Sequence, residues 1–583
     1  PLLATNLIPN DVEFTNLWAM RNTGQTVNFA AGVSNADIRA PAAWASLPPS
    51  MTGVVVAVLD TGIDGGHPDL ANSLWINAVE NPTNGVDDDG NGYTDDYYGY
   101  DFAGDQPDAD DSGYHGSHIA GTVAATGRNG IGVIGVAWPA QLMSLRASSN
   151  GTSISDAAEI EALQYAAMMK ARGFNIVAIN ASYGETNYST IQHDAIQQVA
   201  DAGIVFCAAA GNSAANNDVT PLYPACYAIS NIIAVAASDQ NDWLRASSSY
   251  GTSSVALVAP GANILSIQPM PLAPRSISVW TGGVFFVSEP FRYGGLTTGL
   301  TATLYNCGLG YPGDFPGGVT GNIALIQRGL IDYHVKAANA MSAGAAAVVM
   351  YNDQAGAFGN VSLRFPTNWI PVVGVSQANG LTLAAASPVT ARVVNAIAPS
   401  SLYAFRNGTS MATPHVVGAI ALAALCFPEE NMMARIGRVL SNVTPLSYLA
   451  TKVRTSGRLN VARMIDTNTN ALPDWWETRY FGVLTNSAAG DEDQDRMNNW
   501  AEWQAGTDPT NGRSCLTVDI SAPGPGSVNV TWPSVTGHTY SIETSSNLLQ
   551  GFTPVVTHIA ATPPTNTAPV GTNSPGFYRL LVE

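Results

Sequence analysis

An acid, a base and a hydroxyl lie far apart in this chain, each in a distinctive setting. Asp60 stands in VVVAVLDTGIDGGHPDL, His115 in HGSHIAGTVAA and Ser410 in GTSMATPHVVGAIAL. A carboxylate that accepts an imidazole Nδ1–H fixes the tautomer and leaves Nε2 free to take a serine proton. The chemistry such a set supports is attack on a carbonyl with a covalent acyl intermediate. The chain order is Asp, His, Ser, one of three in which unrelated folds present these groups. Taken singly, each residue also has a bland reading: a strand-capping turn, a packed helix and a capping serine.

The elements around them suit presentation. Val54–Leu59 is an unbroken apolar run of the kind that forms a buried parallel strand, with Asp60 at its C-terminal end before Thr61-Gly62. His115 opens a stretch with small residues at Gly116, Ser117, Ala120 and Gly121, which let a helix pack closely while its first residue stays at a cleft edge. Ser410 follows Asn407-Gly408-Thr409 at an expected helix N-terminus, where the dipole and free N–H groups favour negative charge. Pro414 is expected in the first turn of that helix. A strand is expected at Ile204–Ala209, and a helix at Ser155–Arg172 that stops at Gly173.

With these flanks and this order, the chain resembles the subtilisin-like serine peptidases; GTSMATPHV alone matches the family pattern over nine residues. The resemblance implies an α/β fold with a mostly parallel sheet flanked by helices. It makes His115 the base and leaves His118 as a packed residue, although Ser117 stands where Thr is usual. It implies that Asn212, after Ala209-Ala210-Gly211, donates to the oxyanion beside the Ser410 N–H. It also implies that Ser182, Tyr183 and Gly184, with Ala209, Ala210 and Gly211, border an extended substrate. Ile176–Asn180 resembles the family's edge segment, and Tyr223-Pro224-Ala225, Ile232–Ala236 and Ala259-Pro260-Gly261 match further family segments.

The gap of about 150 residues between Gly261 and Ser410 is too long for a loop within a compact domain. Its interior reads strand, helix, strand: Gly321–Gly329, a stretch with Lys336 and Ala340, then Ala347–Met350. That pattern resembles the α+β protease-associated domain inserted in many large subtilases, with Tyr333 where Phe is common. The reading is 1–50 as an N-terminal extension, 51–268 with 399–465 as the catalytic domain and 269–398 as the insertion. Residues 466–512 follow as a calcium-binding linker and 513–583 as an all-β sandwich.

Three acidic loops suggest structural calcium. Asp87, Asp89 and Asn91 occupy positions 1, 3 and 5 of an EF-hand-like series with Gly92 at 6; position 12 is Tyr98, so Asp96 is the expected closing ligand. Asp466, Asn468, Asn470, Asp474 and Glu477 fall at positions 1, 3, 5, 9 and 12 of a second loop, and Asp491, Asp493, Asp495, Asn499 and Glu502 repeat the series in a third. Ala471 and Arg496 replace the usual turn glycine, and the second loop has fewer carboxylates than the third, which predicts weaker binding there. These repeats resemble thrombospondin type 3 or dockerin-like modules. Beyond them Val518, Ile520, Val528, Val530, Trp532, Tyr540 and Ile542 alternate with polar residues as sandwich strands do.

Composition narrows the partners. A net charge of −20 argues against nucleic acid and anionic membrane surfaces, and no apolar run approaches the ~20 residues of a membrane span. The start at Pro1 fits removal of a signal peptide and propeptide, hence secretion. Five cysteines are too few for a disulfide scaffold and their odd count leaves at least one free, with Cys207 and Cys226 the candidate pair. The expected function is a secreted, calcium-stabilised serine endopeptidase acting on protein or peptide substrates. The alternatives are a catalytically silent binding or adhesion protein, and an esterase or ligase using the same triad.

Overall fold

The computed structural model describes residues 7–582 except 52, 360, 525–526, 548–550 and 572–575. Its centre is a nine-stranded sheet. Six strands carry the site: β1 (Val55–Asp60), β2 (Gln141–Arg146), β3 (Ile176–Ala181), β4 (Val205–Ala209), β5 (Ile232–Ser238) and β6 (Leu257–Pro260). They lie side by side and parallel in the order β6-β5-β4-β3-β1-β2, with Gly99–Asp101 beyond β2 and two short C-terminal strands beyond β6.

Both faces of this sheet are covered, which is why its strands read as continuous apolar runs. Along β1, Val56 and Val58 enter one core while Val55, Ala57 and Leu59 enter the other. The first core holds α1 (His115–Ala124) and α4 (Thr409–Cys426). The second holds α2 (Asp156–Ala171), and α3 (Thr190–Asp201) packs beside it. Helix α4 touches β3, β4, β5 and α1 and is buried along its whole length except at Ser410. It is long and apolar enough to cross a membrane, yet here it forms the middle of a protein core. The N-terminal stretch joins the same core: Trp18 is buried and donates to the carbonyls of Ala262 and Asn263.

A second nine-stranded sheet forms from residues 275–397. Its parallel strands Ile323–Gln327, Ala347–Tyr351 and Val372–Val375 adjoin the helix Tyr333–Ser342, as the strand-helix-strand pattern predicts. Ile264–Ile267 leads out to it and Tyr403–Arg406 returns, paired antiparallel. The insertion therefore leaves and re-enters on one ribbon, so its length adds little closure entropy to the surrounding fold.

The C-terminal residues form two three-stranded sheets around Val530, Trp532, Tyr540 and Ile542. Val518 and Ile520 depart from the expected inward alternation and are exposed. All five cysteines are free, Cys207 and Cys226 included.

Candidate active site

Asp60 ends β1 and is almost wholly buried. Its carboxylate lies 2.8 and 2.9 Å from His115 Nδ1 and accepts the Thr61 N–H. His115 is the first residue of α1 and remains half-buried. Burial pulls its pKa down, but the Asp60 charge and hydrogen bond, aided by Asp111, outweigh that and leave it raised. Asp111 also staples the start of α1. It accepts from Thr61 Oγ1 (2.7 Å), Gly113 N (2.8 Å), Ser117 N (2.9 Å) and Ser117 Oγ (2.6 Å). The Ser at 117 thus fills a specific bonding position, and its hydroxyl also accepts the Asp64 N–H. No sequence motif pointed to Asp111.

Ser410 is the second residue of α4. Its hydroxyl donates to the Ser182 carbonyl at 3.0 Å, while Ser182 Oγ donates back to the Ser410 carbonyl at 3.0 Å. Pro414 accounts for the second bond. It lies in the second turn of α4, not in the first as expected, so it withholds the N–H that the Ser410 carbonyl would otherwise receive. Ser182 supplies the replacement. Among the described residues there is no Ser410–His115 hydrogen bond.

Asn212 follows the end of β4, and its Oδ1 accepts the Thr409 N–H at 3.0 Å, turning the amide toward Gly408. Gly408 has φ +149°, and a Cβ there would sit 3.5 Å from Asn212 Nδ2 and 3.7 Å from Ser410 N. Two donors thus flank one small space at Gly408, with Asn212 Oδ1 3.4 Å from the same point, and two donors so placed can hold an oxyanion.

The segments expected to border substrate divide into two kinds. Gly184 is exposed and Gly211 half-buried, and the Gly211 N–H donates to Thr409 Oγ1, next to Ser410. Ala209 and Ala210 are buried, with Ala210 bonded to Val235 O and Asn217 Nδ2. Tyr183 turns its hydroxyl to Glu159 at 2.7 Å. Burial lifts Glu159 to about 7, against the bonds from Tyr183 and Gln192 that lower it. His118 lies apart from this site: buried, lowered to about 3 mainly by desolvation, and bonded through Nε2 to Ile264 O and Ala404 O. It clamps the ribbon from which the insertion springs.

Residues 51–298 match a family profile described as "Subtilase family", and residues 298–383 one described as "PA domain". Thermitase of Thermoactinomyces vulgaris is 33% identical over 232 residues, covering 40% of this chain and 71% of thermitase. The chain belongs to the subtilase family. Subtilisin-like protease 1 of Plasmodium vivax is 33% identical over 233 residues, 37% of this chain and 36% of that protein. Thermophilic serine proteinase of Bacillus sp. (strain AK1) is 36% identical over 217 residues, 37% and 45% respectively. The chain therefore spans less than half of those two relatives.

Three acidic loops of this subtilase share one backbone form. Position 4 is left-handed in each (Gly90 +66°, Thr469 +59°, Gln494 +64°), and so is position 6 (Gly92 +96°, Ala471 +73°, Arg496 +80°). In each, the first Asp receives the N–H of position 6: Asp87 from Gly92, Asp466 from Ala471 and Asp491 from Arg496. The missing glycines have not changed the turn.

Ligand sets differ among the loops. Asp491, Asp493 and Asp495 bring carboxylate oxygens within 4.8 Å of one another. Glu502 is fully buried with both oxygens unpartnered, and Asn499 Oδ1 is unpartnered as well. Burial and the three aspartates push Glu502 up to about 8. Such buried, mutually repelling oxygens fit a hard cation.

In the first loop, Glu80, absent from the expected set, joins Asp87 and Asp89 within 4.8 Å. Asn77, also unforeseen, donates to Asp89 and Asp96. Asp96 holds Asn91 Nδ2 at 2.8 Å and Tyr165 OH, and burial raises it to about 6. In the second loop, Asp474 is turned away: its oxygens serve Thr467 and Arg438. Asn468 donates to Glu477, while Asp466 and Asn470 hold backbone N–H groups.

Proposed function

We propose that this subtilase is a secreted serine endopeptidase working through Asp60, His115, Ser410 and Asn212. The His115–Asp60 hydrogen bond, beside a serine at a helix N-terminus and a paired amide and N–H, carries the reading. On substrate binding the Ser410 hydroxyl swings from the Ser182 carbonyl to His115 Nε2. Its oxygen attacks the scissile carbonyl as His115 takes the proton, and the imidazolium is stabilised by Asp60. The oxyanion rests between Asn212 Nδ2 and Ser410 N. His115 then gives the proton to the leaving amine, and a water, deprotonated by His115, releases the acyl group.

Residues 51–268 and 399–465 would form the catalytic part, preceded by the extension 1–50 and interrupted by the insertion 269–398. The linker 466–512 and the sandwich 513–583 would follow. Calcium would act structurally, held by Asp87, Asp89, Asn91 and Asp96 with Glu80, and by Asp491, Asp493, Asp495, Asn499 and Glu502. The unpartnered oxygens of Glu502 support this assignment best. The second loop would bind more weakly, since Asp474 is engaged by Arg438. Proteins or peptides are the expected substrates, with a propeptide as partner during maturation.

A fluorophosphonate probe tests the reading. The calcium-loaded protein should be labelled on Ser410, and Ser410→Ala should not react. Absence of labelling would leave the catalytically silent scaffold as the better account.

A further inference from the structure

Both glycine walls are tied to the nucleophile. Ser182, two residues before Gly184, exchanges hydrogen bonds with Ser410. Gly211 N donates to Thr409 Oγ1 at 3.1 Å, and Asn212 receives the Thr409 N–H. A side chain carried on the carbonyl that Ser410 attacks has the space between these walls open to it, because neither glycine projects a side chain there.

That space has a floor. Leu222 Cδ2 lies 3.0 Å from the point a Cβ on Gly184 would occupy and 2.8 Å from the point one on Gly211 would occupy. A single methyl group thus abuts both walls. Its backbone is fixed from the side: Glu185 and Tyr223 exchange N–H···O bonds of 2.8 Å, joining the residue after Leu222 to the residue after Gly184. The Leu222 carbonyl also accepts the Cys226 N–H at 2.9 Å. Leu222 itself is half-buried.

We infer that Leu222 plugs this slot and restricts the enzyme to cutting after small residues such as alanine and serine. A side chain of one or two heavy atoms fits above the Leu222 methyl. Leucine, phenylalanine or lysine would meet it at the level of the glycine α-carbons. Removing the isobutyl group deepens the slot by the volume a large apolar side chain needs. A single methylene gained or lost in an apolar pocket changes discrimination by about 10- to 200-fold.

The inference rests on the peptidase reading, and the experiment separates the two. The full-length, calcium-loaded chain is first titrated with a fluorophosphonate, then assayed per labelled site on peptide p-nitroanilides. These differ only in the residue before the anilide: Ala, Leu, Phe or Lys. The native chain is expected to prefer Ala over Phe at least 10-fold in kcat/KM, and Leu222→Gly to shift that ratio toward Phe by about 10- to 100-fold. Leu222→Ala, which perturbs the backbone less, should shift it in the same direction. A native chain that cleaves after Phe or Leu as well as after Ala overturns the plug, even if neither variant folds. So does a folded, labelled variant whose ratio is unchanged. Failure of the native chain to label overturns the peptidase reading instead.

Discussion

At the scale of single residues, the site depends on protons held in defined places. The raised pKa of His115 has a direct kinetic consequence, since only the neutral imidazole can act as base. The acid limb of kcat/KM against pH should therefore lie above the ordinary histidine value of about 6.5. Asp111 contributes to that rise, so Asp111→Asn should move the limb to lower pH as a negative charge is lost. A limb that stays put in a folded variant would show that Asp111 acts on α1 by hydrogen bonding alone. The triad and Asn212 were legible because each sits in a contiguous string with its own flanks. Asp111, Ser182 in its second role and Leu222 were not. Their parts arise from contacts across about 50, 230 and 40 residues respectively, which no local pattern encodes.

At the scale of elements, the acidic loops show where residue type and backbone separate. A non-glycine residue at left-handed φ costs about 1–2 kcal/mol, yet Ala471 and Arg496 adopt it at the place Gly92 takes in the first loop. The first Asp of each series, by binding the N–H at position 6, helps hold the turn. The spacing of the carboxylates was thus the better guide than the turn residue. Glu80 and Asn77 are not legible in that spacing because they precede their loop and meet it only after the chain folds back. The expectation from Glu502 is that excess EDTA lowers the thermal midpoint, since four clustered carboxylates then repel without a cation. Calorimetry with and without chelator measures it, and coincident melting curves would remove calcium from this account.

At the scale of the whole molecule, the insertion is fastened to the catalytic layer beside the triad. Arg292 reaches Asp108 at 3.2 Å and the buried Asp110 at 3.1 Å, and Asp110 precedes the Asp111 that staples α1. Tyr293 OH meets Tyr98 OH at 2.8 Å alongside. Burial drives the Asp110 pKa up, and Arg292 opposes that. Arg292→Met should then destabilise the protein by up to about 3 kcal/mol near pH 8. The loss should shrink toward pH 5, because an Asp110 that takes up a proton no longer needs a cation. Urea titrations at both pH values test this, and an equal loss at each would mean that packing, not charge, is what Arg292 supplies. An insertion was legible from chain length and its strand-helix-strand pattern. Its anchorage was not, since Arg292 lies in a short strand outside that pattern.

Helix α4 fills the middle of the catalytic core and carries Ser410, yet it is made after the whole insertion. A ribosome therefore releases the acid and the base first, and for about 150 residues after β6 the central sheet lacks the helix that packs across one of its faces. During that interval the growing chain cannot cut itself or its neighbours. The nucleophile arrives with the central helix of the core, and only the residues from Ile436 to Ile465 remain to be added to that core, so competence for catalysis comes close to completion of the catalytic fold in synthesis.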